Sequence, residues 1–361
     1  MSQGGILPSQ EIERLIATGA IRLERPAAAD QAQPASLDLR LGPVVHRVRA
    51  SFLPGAGRTV AERLAELTLH TIDLSAGAVL ETGCVYVAPL MESLDLPAGV
   101  AGATNPKSST GRLDVFTRVI ADGARAFDVV PAGYRGALFA EISPRTFPVL
   151  VRAGSRLSQL RLRRGHARLD DAELAALQAR ERLIDTEQPD IRDGVAVTVD
   201  LRGGADGVVG WRAKRHTGVV DMDRPGAHDV GEFWEPVRAG RSGLVLDPGQ
   251  FYILASREAV SAPPDHAAEM TPFDPLVGEF RVHYAGFFDP GFGHAQGRGA
   301  GARAVLEVRS HEVPFILEHG QTVGRLVYER MLERPRTLYG ELATSNYQGQ
   351  GLKLSKHFRA P

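Results

Sequence analysis

The chain has 361 residues, with 42 Lys+Arg against 43 Asp+Glu, eleven His and one Cys. A net charge of -1 without basic runs argues against a nucleic-acid polymer or an anionic membrane as partner, and no run of about 18 apolar residues is present to span a bilayer. One cysteine excludes a disulfide framework and any Cys-rich zinc or iron–sulfur site, and MSQGGILPSQEIERL has no leader pattern, so a cytoplasmic protein is expected.

The 39 Gly and 23 Pro separate many short Val/Ile/Leu/Phe segments, which predicts a mainly β chain with a few helices. Ser9 is expected to cap a helix from Gln10 to about Thr18, with Gly19 as its stop. Cys84 lies in the alternating run LETGCVYVAPL and is expected to be a buried structural thiol. NPKSSTGR follows an apolar strand at Asn105 to Arg112. DDAELAALQARERLI from Asp170 is the strongest helical stretch and leads into the polar segment DTEQPDIRDG.

The second half restates the first at an offset of about 166 residues. LETGCVYVAPL aligns with LDPGQFYILAS, setting Gly83 on Gly249 and Tyr86 on Tyr252. Pro148 falls on Pro314, Gly154 on Gly320, Leu160 on Leu326 and Glu141 on Glu307, and SLDLRLG pairs with TVDLRGG after a slip of about four. An internal duplication is expected, with a first unit over 1–165, a helical connector over 166–192 and a second unit over 193–361.

Three stretches carry chemistry. In NPKSSTGR, the Ser108 and Ser109 hydroxyls and free amides in a Gly-containing turn can accept a phosphate that Lys107 and Arg112 neutralise, although an ordinary polar turn reads the same way. It is not a Walker loop, because the required spacing is absent. The second copy has Phe273, Asp274, Pro275 and Gly278 where the first has Lys107, Ser108, Ser109 and Arg112, which favours a ligand role for the first copy. In AGFFDPGFG, Asp289 can accept a sugar hydroxyl, and Glu307 sits among Val305, Leu306 and Val308, where a carboxylate is costly without a task or partner. The first copy has VVPAGYRG in place of the Asp-Pro-Gly turn. The polar tail RPRTLYG…SNYQGQGLKLSKHF is either disordered or orders over a ligand.

At these stretches, and at PASLDLRLG and the amino-terminal helix, the chain resembles the dCTP deaminases of the trimeric dUTPase superfamily, over most of its length. The resemblance implies two dUTPase-like (β-clip) units in tandem. It implies that Ser108, Ser109 and Arg112 of a Ser-Ser-x-x-Arg motif bind phosphates, that Ala285 and Asp289 hold deoxyribose and cytosine, and that Glu307 is the base. It further implies that Tyr339, Tyr347 and Gln350 belong to a closing tail, with Lys353 or Lys356 taking the place of a Lys that Asn346 replaces. Ser108 and Arg112 are also implied to lie near the reacting base. In that family, sites combine the phosphate motif of one unit with the hairpin of a neighbour in a homo-oligomer, and a fused pair needs one good copy of each.

The reaction implied is dCTP to dUTP and ammonia, with dUTP and dTTP-like nucleotides as further ligands and Mg²⁺ accompanying the triphosphate. None of the eleven His is followed two residues later by Glu, and one Cys cannot supply the pair of a zinc deaminase, so Glu307 is expected to activate water without zinc. The alternatives are a dUTP pyrophosphohydrolase, a bifunctional enzyme, a non-catalytic nucleotide-binding regulator and a β-rich structural oligomer.

Overall fold

A computed structural model describes residues 4–272, 280–283, 286–297, 299–310, 312–342 and 345–359. The chain is mainly β with few helices, and it divides into two compact units. Unit 1 comprises 1–166, 216–229 and 355–361; unit 2 comprises 167–215 and 230–354.

In unit 1, one sheet runs in the order Val129–Val130, Val100–Pro106, Arg156–Arg164, Ser36–Arg40, Ala32–Gln33. A second runs Val115–Ala121, Arg135–Pro144, Val85–Asp95, Val44–Val48, Thr68–Asp73. A small sheet joins Ala78–Leu80 and Val149–Val151 to Val220–Asp221, which adds in parallel. A buried pair fixes the strand Ser36–Arg40. Arg40 Nε lies 2.7 Å from Glu92, which is fully buried, and Gln31 donates to the same carboxylate at 2.8 Å. Breaking such a pair on one side costs about 3–5 kcal/mol, because the other charge stays buried.

Unit 2 repeats the strand order. Phe287–Phe288, His266–Pro272, Thr322–Arg330 and Val195–Thr198 form one sheet, and Phe280–His283, Ala302–Ser310, Phe251–Val260, Gly210–Ala213 and Trp234–Val237 form the other. The register repeats as well. Val87 opposes Glu141 as Ile253 opposes Glu307, and Asn105 opposes Gln159 as Thr271 opposes Arg325. Even a turn bond recurs: the Tyr86 hydroxyl accepts from the Glu81 N–H at 3.1 Å, and the Tyr252 hydroxyl accepts from the Asp247 N–H at 3.1 Å. The core of unit 2 gathers Leu254, Leu306, Val308 and Leu326 from facing strands with Leu174 and Leu177 of the helix Asp171–Glu181.

Local signals explain the helices, with three corrections. Asp170 and Glu173 form a capping box at the start of Asp171–Glu181, and the helix stops at the left-handed Arg182. The first helix is Ser9–Ala17, so Ser9 is its first residue and Pro8 precedes it without a side-chain cap, while Gly19 does end it with φ 77°. A further helix, Val60–Leu67, was not anticipated, although Thr59 and Glu62 make a capping box and Val60, Leu64 and Leu67 line its buried face. Cys84 is half-buried in the turn before Val85–Asp95 rather than buried in the strand. No helix among the described residues is long and apolar enough to cross a membrane.

Burial depresses two histidines, His266 and His357, from 6.5 to about 4. Between those values the unfolded chain binds protons that the folded imidazoles refuse, so stability falls as pH drops from 6.5 to 4. Asp128 runs the other way, because its burial raises its carboxyl from 3.8 to about 6 and the folded state then holds the extra proton. Two groups outweigh one, so thermal melts should show a lower Tm at pH 4.5 than at pH 7. An unchanged Tm over that window would contradict this balance.

Candidate active site

Unit 1 holds the polar turn. The strand Val100–Pro106 ends at Lys107, a helical turn spans Ser108–Gly111, and Arg112 follows before the strand Val115–Ala121. The Thr110 and Gly111 amides both donate to the Lys107 carbonyl, at 2.8 and 3.0 Å, and Arg112 N–H donates to Ser108 at 3.1 Å. Those bonds use the later amides of the turn, and the first amides of any helical turn have no acceptor within it. Ser109 and Arg112 are buried, at 6% and 3% exposure. Lys107 is tied by its N–H to Leu157 at 2.9 Å and by its ammonium to Asp38, which is 2% exposed. Arg156 bridges Asp30 at 2.9 Å and Asp38 at 3.5 Å. The buried Asp38 therefore holds two cations beside the turn, and Gln31, which donates to Glu92, also donates to the Asp38 backbone carbonyl at 2.9 Å.

Unit 2 holds the hairpin, the strand carboxylate and the tail. Glu307 is 5% exposed on the interior strand Ala302–Ser310, with Ile253 opposite on one side and His283 on the other. Asp289, 8% exposed, opens the turn in which Phe292 N–H donates to its carbonyl at 3.0 Å. Gly291 is left-handed at φ 98°, and a Cβ there would lie 2.8 Å from Leu338 Cβ and from the Tyr339 carbonyl, so the tail packs where only glycine fits. Tyr339 donates its N–H to Pro290 at 2.8 Å, and its ring centroid lies 5.6 Å from that of Phe292.

The tail is ordered onto these elements. Tyr347 N–H donates to the Tyr339 hydroxyl at 3.1 Å, and Arg303 and Gln350 exchange two bonds of 2.9 Å at the start of the Glu307 strand. Lys353 donates to the Asn346 carbonyl at 2.6 Å, with its ammonium 5.7 Å from the Tyr347 ring centroid. Gln348 is a contributor that sequence reasoning did not single out. Its carbonyl accepts from Gly293 N–H at 2.8 Å and its amide donates to Gly291 at 3.0 Å and to Gly297, so one side chain sews the tail to the hairpin. Ala285 lies outside the described residues, as do 273–279, where the second copy's version of the phosphate turn falls.

The register identifies what stands in unit 1 at the hairpin and the base. Thr104 N–H donates to the Asp128 carbonyl at 3.0 Å as Met270 N–H donates to Gly286 at 3.2 Å, and Val130 opposes Gly102 as Phe288 opposes Ala268. Pro131 thus stands at the place of Asp289. Glu141, at the place of Glu307, meets Arg118 at 2.5 Å. That guanidinium lies 3.5 Å from the Phe127 ring centroid and 4.6 Å from that of Phe116. The Glu141 carboxylate is thus engaged in an ion pair with a guanidinium stacked on two rings.

The family model for the "2′-deoxycytidine 5′-triphosphate deaminase (DCD) N-terminal domain" matches residues 3–166, and that for the C-terminal domain matches residues 170–358. A crystal structure of 2′-deoxycytidine 5′-triphosphate deaminase from Agrobacterium tumefaciens is 62% identical, with a TM-score of 0.89 and coverage of 92% of this chain and 99% of that one. A dCTP deaminase from Halorubrum lacusprofundi is 28% identical over 158 residues, 43% of this chain and 75% of that protein. A dUMP-forming dCTP deaminase from Methanoculleus marisnigri is 31% identical over 163 residues, 43% of this chain and 78% of that protein.

Proposed function

The chain belongs to the 2′-deoxycytidine 5′-triphosphate deaminase family, and on that premise we infer that its two halves divide the groups needed for one reaction, dCTP and water to dUTP and ammonia. It is a dCTP deaminase built as two dUTPase-like units descended from a duplicated gene. The shared strand order and the repeated register support that descent.

The observation that carries the division of groups is the contrast between equivalent positions. Unit 1 keeps Lys107, Ser108, Ser109 and Arg112 but has Pro131 for Asp289 and a Glu141 committed to Arg118. The second half keeps Asp289 and Glu307 but has Phe273, Asp274, Pro275 and Gly278 in the phosphate turn. Phosphates of dCTP, bound as its Mg²⁺ complex, go to the first set, and sugar and cytosine go to Ala285 and Asp289 under Tyr339, Tyr347, Gln350 and Lys353. Nucleotides with the same sugar and triphosphate, such as dUTP and dTTP, compete for these contacts, and the working form is a homo-oligomer.

Glu307 accepts a proton from water as its oxygen attacks C4 of cytosine. The same proton is returned to ring N3, and the carboxylate then relays the hydroxyl proton of the tetrahedral adduct to the amine as the C4–N bond breaks and C4=O forms, so ammonia leaves and the carboxylate is unchanged at the end. Ser108 and Arg112 assist at the reacting base. A single Cys cannot supply the thiolate pair of the zinc deaminases, which supports activation of water by the carboxylate without zinc.

Relatives named as dUMP-forming make a coupled pyrophosphohydrolysis the second reading. Product analysis after incubation with dCTP and Mg²⁺ separates the two. Ammonia and dUTP are expected, dUMP with pyrophosphate would establish the coupled enzyme, and binding without turnover would leave a regulator. Glu141→Gln should change turnover by less than about threefold, because that carboxylate is engaged in an ion pair with Arg118 and its unit has Pro131 in place of Asp289. A loss as large as that of Glu307→Gln would mean two working bases per chain.

A further inference from the structure

Each unit carries the same small ladder, and only that of unit 1 has a third strand. There Ala78–Leu80 pairs with Val149–Val151, and Val220–Asp221 adds in parallel to the far edge of Val149–Val151. Val220 N–H donates to the Pro148 carbonyl at 3.0 Å and Met222 N–H to the Leu150 carbonyl at 3.1 Å. Arg152, one residue beyond the strand, fastens the added segment through Asp221 at 2.7 Å and Asp223 at 3.2 Å. In unit 2, Leu244–Leu246 pairs with Phe315–Leu317 in the same register, Val245 facing Ile316 as Val79 faces Leu150. No strand among the described residues takes the far edge of Phe315–Leu317. Val79 and Leu150 are half-buried, whereas Val245 and Ile316 are 47% and 53% exposed. Phe147 is fully buried with the Phe358 ring 6.5 Å away, whereas Val313 at the same place is 48% exposed. An apolar strand edge with outward backbone groups is a template for another strand.

We propose that this edge of unit 2 is a docking site for an extended segment of another protein, laid parallel to Phe315–Leu317. The segment has β-branched residues where Val219 and Val220 stand in unit 1, and basic residues where Asp221 and Asp223 stand. Charge selects this occupant. Glu318 stands at the place of Arg152, and the turn that follows is alike: Arg152 N–H donates to Ser155 Oγ at 2.8 Å and Glu318 N–H to Gln321 Oε1 at 3.1 Å. The exposed Glu318 therefore meets an incoming side chain with negative charge where Arg152 meets it with positive charge. A second copy of this chain offering its own Val219–Met222 would set Asp221 and Asp223 against Glu318, and like charges facing each other across strands are destabilising. The Pro314 and Ile316 carbonyls, at the places of the two acceptors in unit 1, supply the backbone bonds of strand addition. Val245, Val313 and Ile316 with Glu318 supply the selectivity.

The test is fluorescence anisotropy with the full chain and two labelled peptides. One is Thr-Gly-Val-Val-Asp-Met-Asp-Arg, the sequence of residues 217–224, and the other has Arg at both Asp positions. The basic peptide should bind about tenfold more tightly than the acidic one, and Glu318→Arg should reverse that preference. Glu318→Arg should also keep dCTP turnover within about twofold, as a surface substitution in a folded chain does. Methylating the peptide amide that corresponds to Val220 N–H removes the donor to Pro314 and should weaken the basic peptide by about tenfold or more. A basic peptide that binds equally well with and without that methyl group is held by charge alone. Binding of neither peptide would leave Glu318 as a charge that merely guards the edge. Either result overturns the proposal. So would a fall in oligomeric mass on sedimentation of the double variant Val313→Ser, Ile316→Ser, which would assign the edge to a second copy of this chain.

Discussion

Glu307→Gln is expected to reduce dCTP turnover by roughly 10²–10⁴-fold, the usual contribution of a general acid–base group, while dCTP still binds. The amide has the size and shape of the carboxylate, so the packing around a residue that is 5% exposed between Leu306 and Val308 is preserved. What disappears is the ability to take a proton from water and give it back. Single-turnover rates and calorimetric binding on the same preparation separate the two effects. Turnover near wild type would move the base away from Glu307, and loss of binding together with turnover would make it a structural residue.

Arg112→Ala should weaken dCTP binding by about 2 kcal/mol or more, roughly thirtyfold, as expected for loss of a charge-assisted contact at a buried site. Arg112 is 3% exposed and directly follows the turn that carries both serines. The loss should be smaller for deoxycytidine, which has no phosphates. Arg112→Lys should recover only part of it, because an ammonium keeps the charge but not the planar fork. Unchanged KM and kcat in Arg112→Ala would remove NPKSSTGR from the site.

Strands with two-residue alternation and glycine breaks were legible in the sequence, and so was the offset that puts Glu141 and Glu307 in one register, because sheet pairing constrains the side chains of both copies alike. The Thr59–Glu62 capping box was present in the sequence but masked by the surrounding Gly- and Pro-rich stretch. Other features had no local signature. Nothing in HTGVVDMDRPGAHD or SKHF says that these segments join unit 1, where Val220–Asp221 extends a sheet and Ser355 reaches Ser109, because such contacts depend on partners distant in the sequence, 71 residues away for Val220 with Val149 and 246 for Ser355 with Ser109. The neutralisation of Glu141 was equally hidden. Arg118 and Phe127 become meaningful only when pairing sets the arginine opposite the carboxylate and folding lays the ring under it.

The central claim is that each chain carries one complete set of groups, phosphate turn from the first half and carboxylate from the second. Calorimetric titration of Glu307→Gln with dCTP and Mg²⁺, at a protein concentration fixed by amino-acid analysis, counts those sets directly. The account predicts one dCTP bound per chain. Two dCTP per chain, bound with similar affinity, would contradict it.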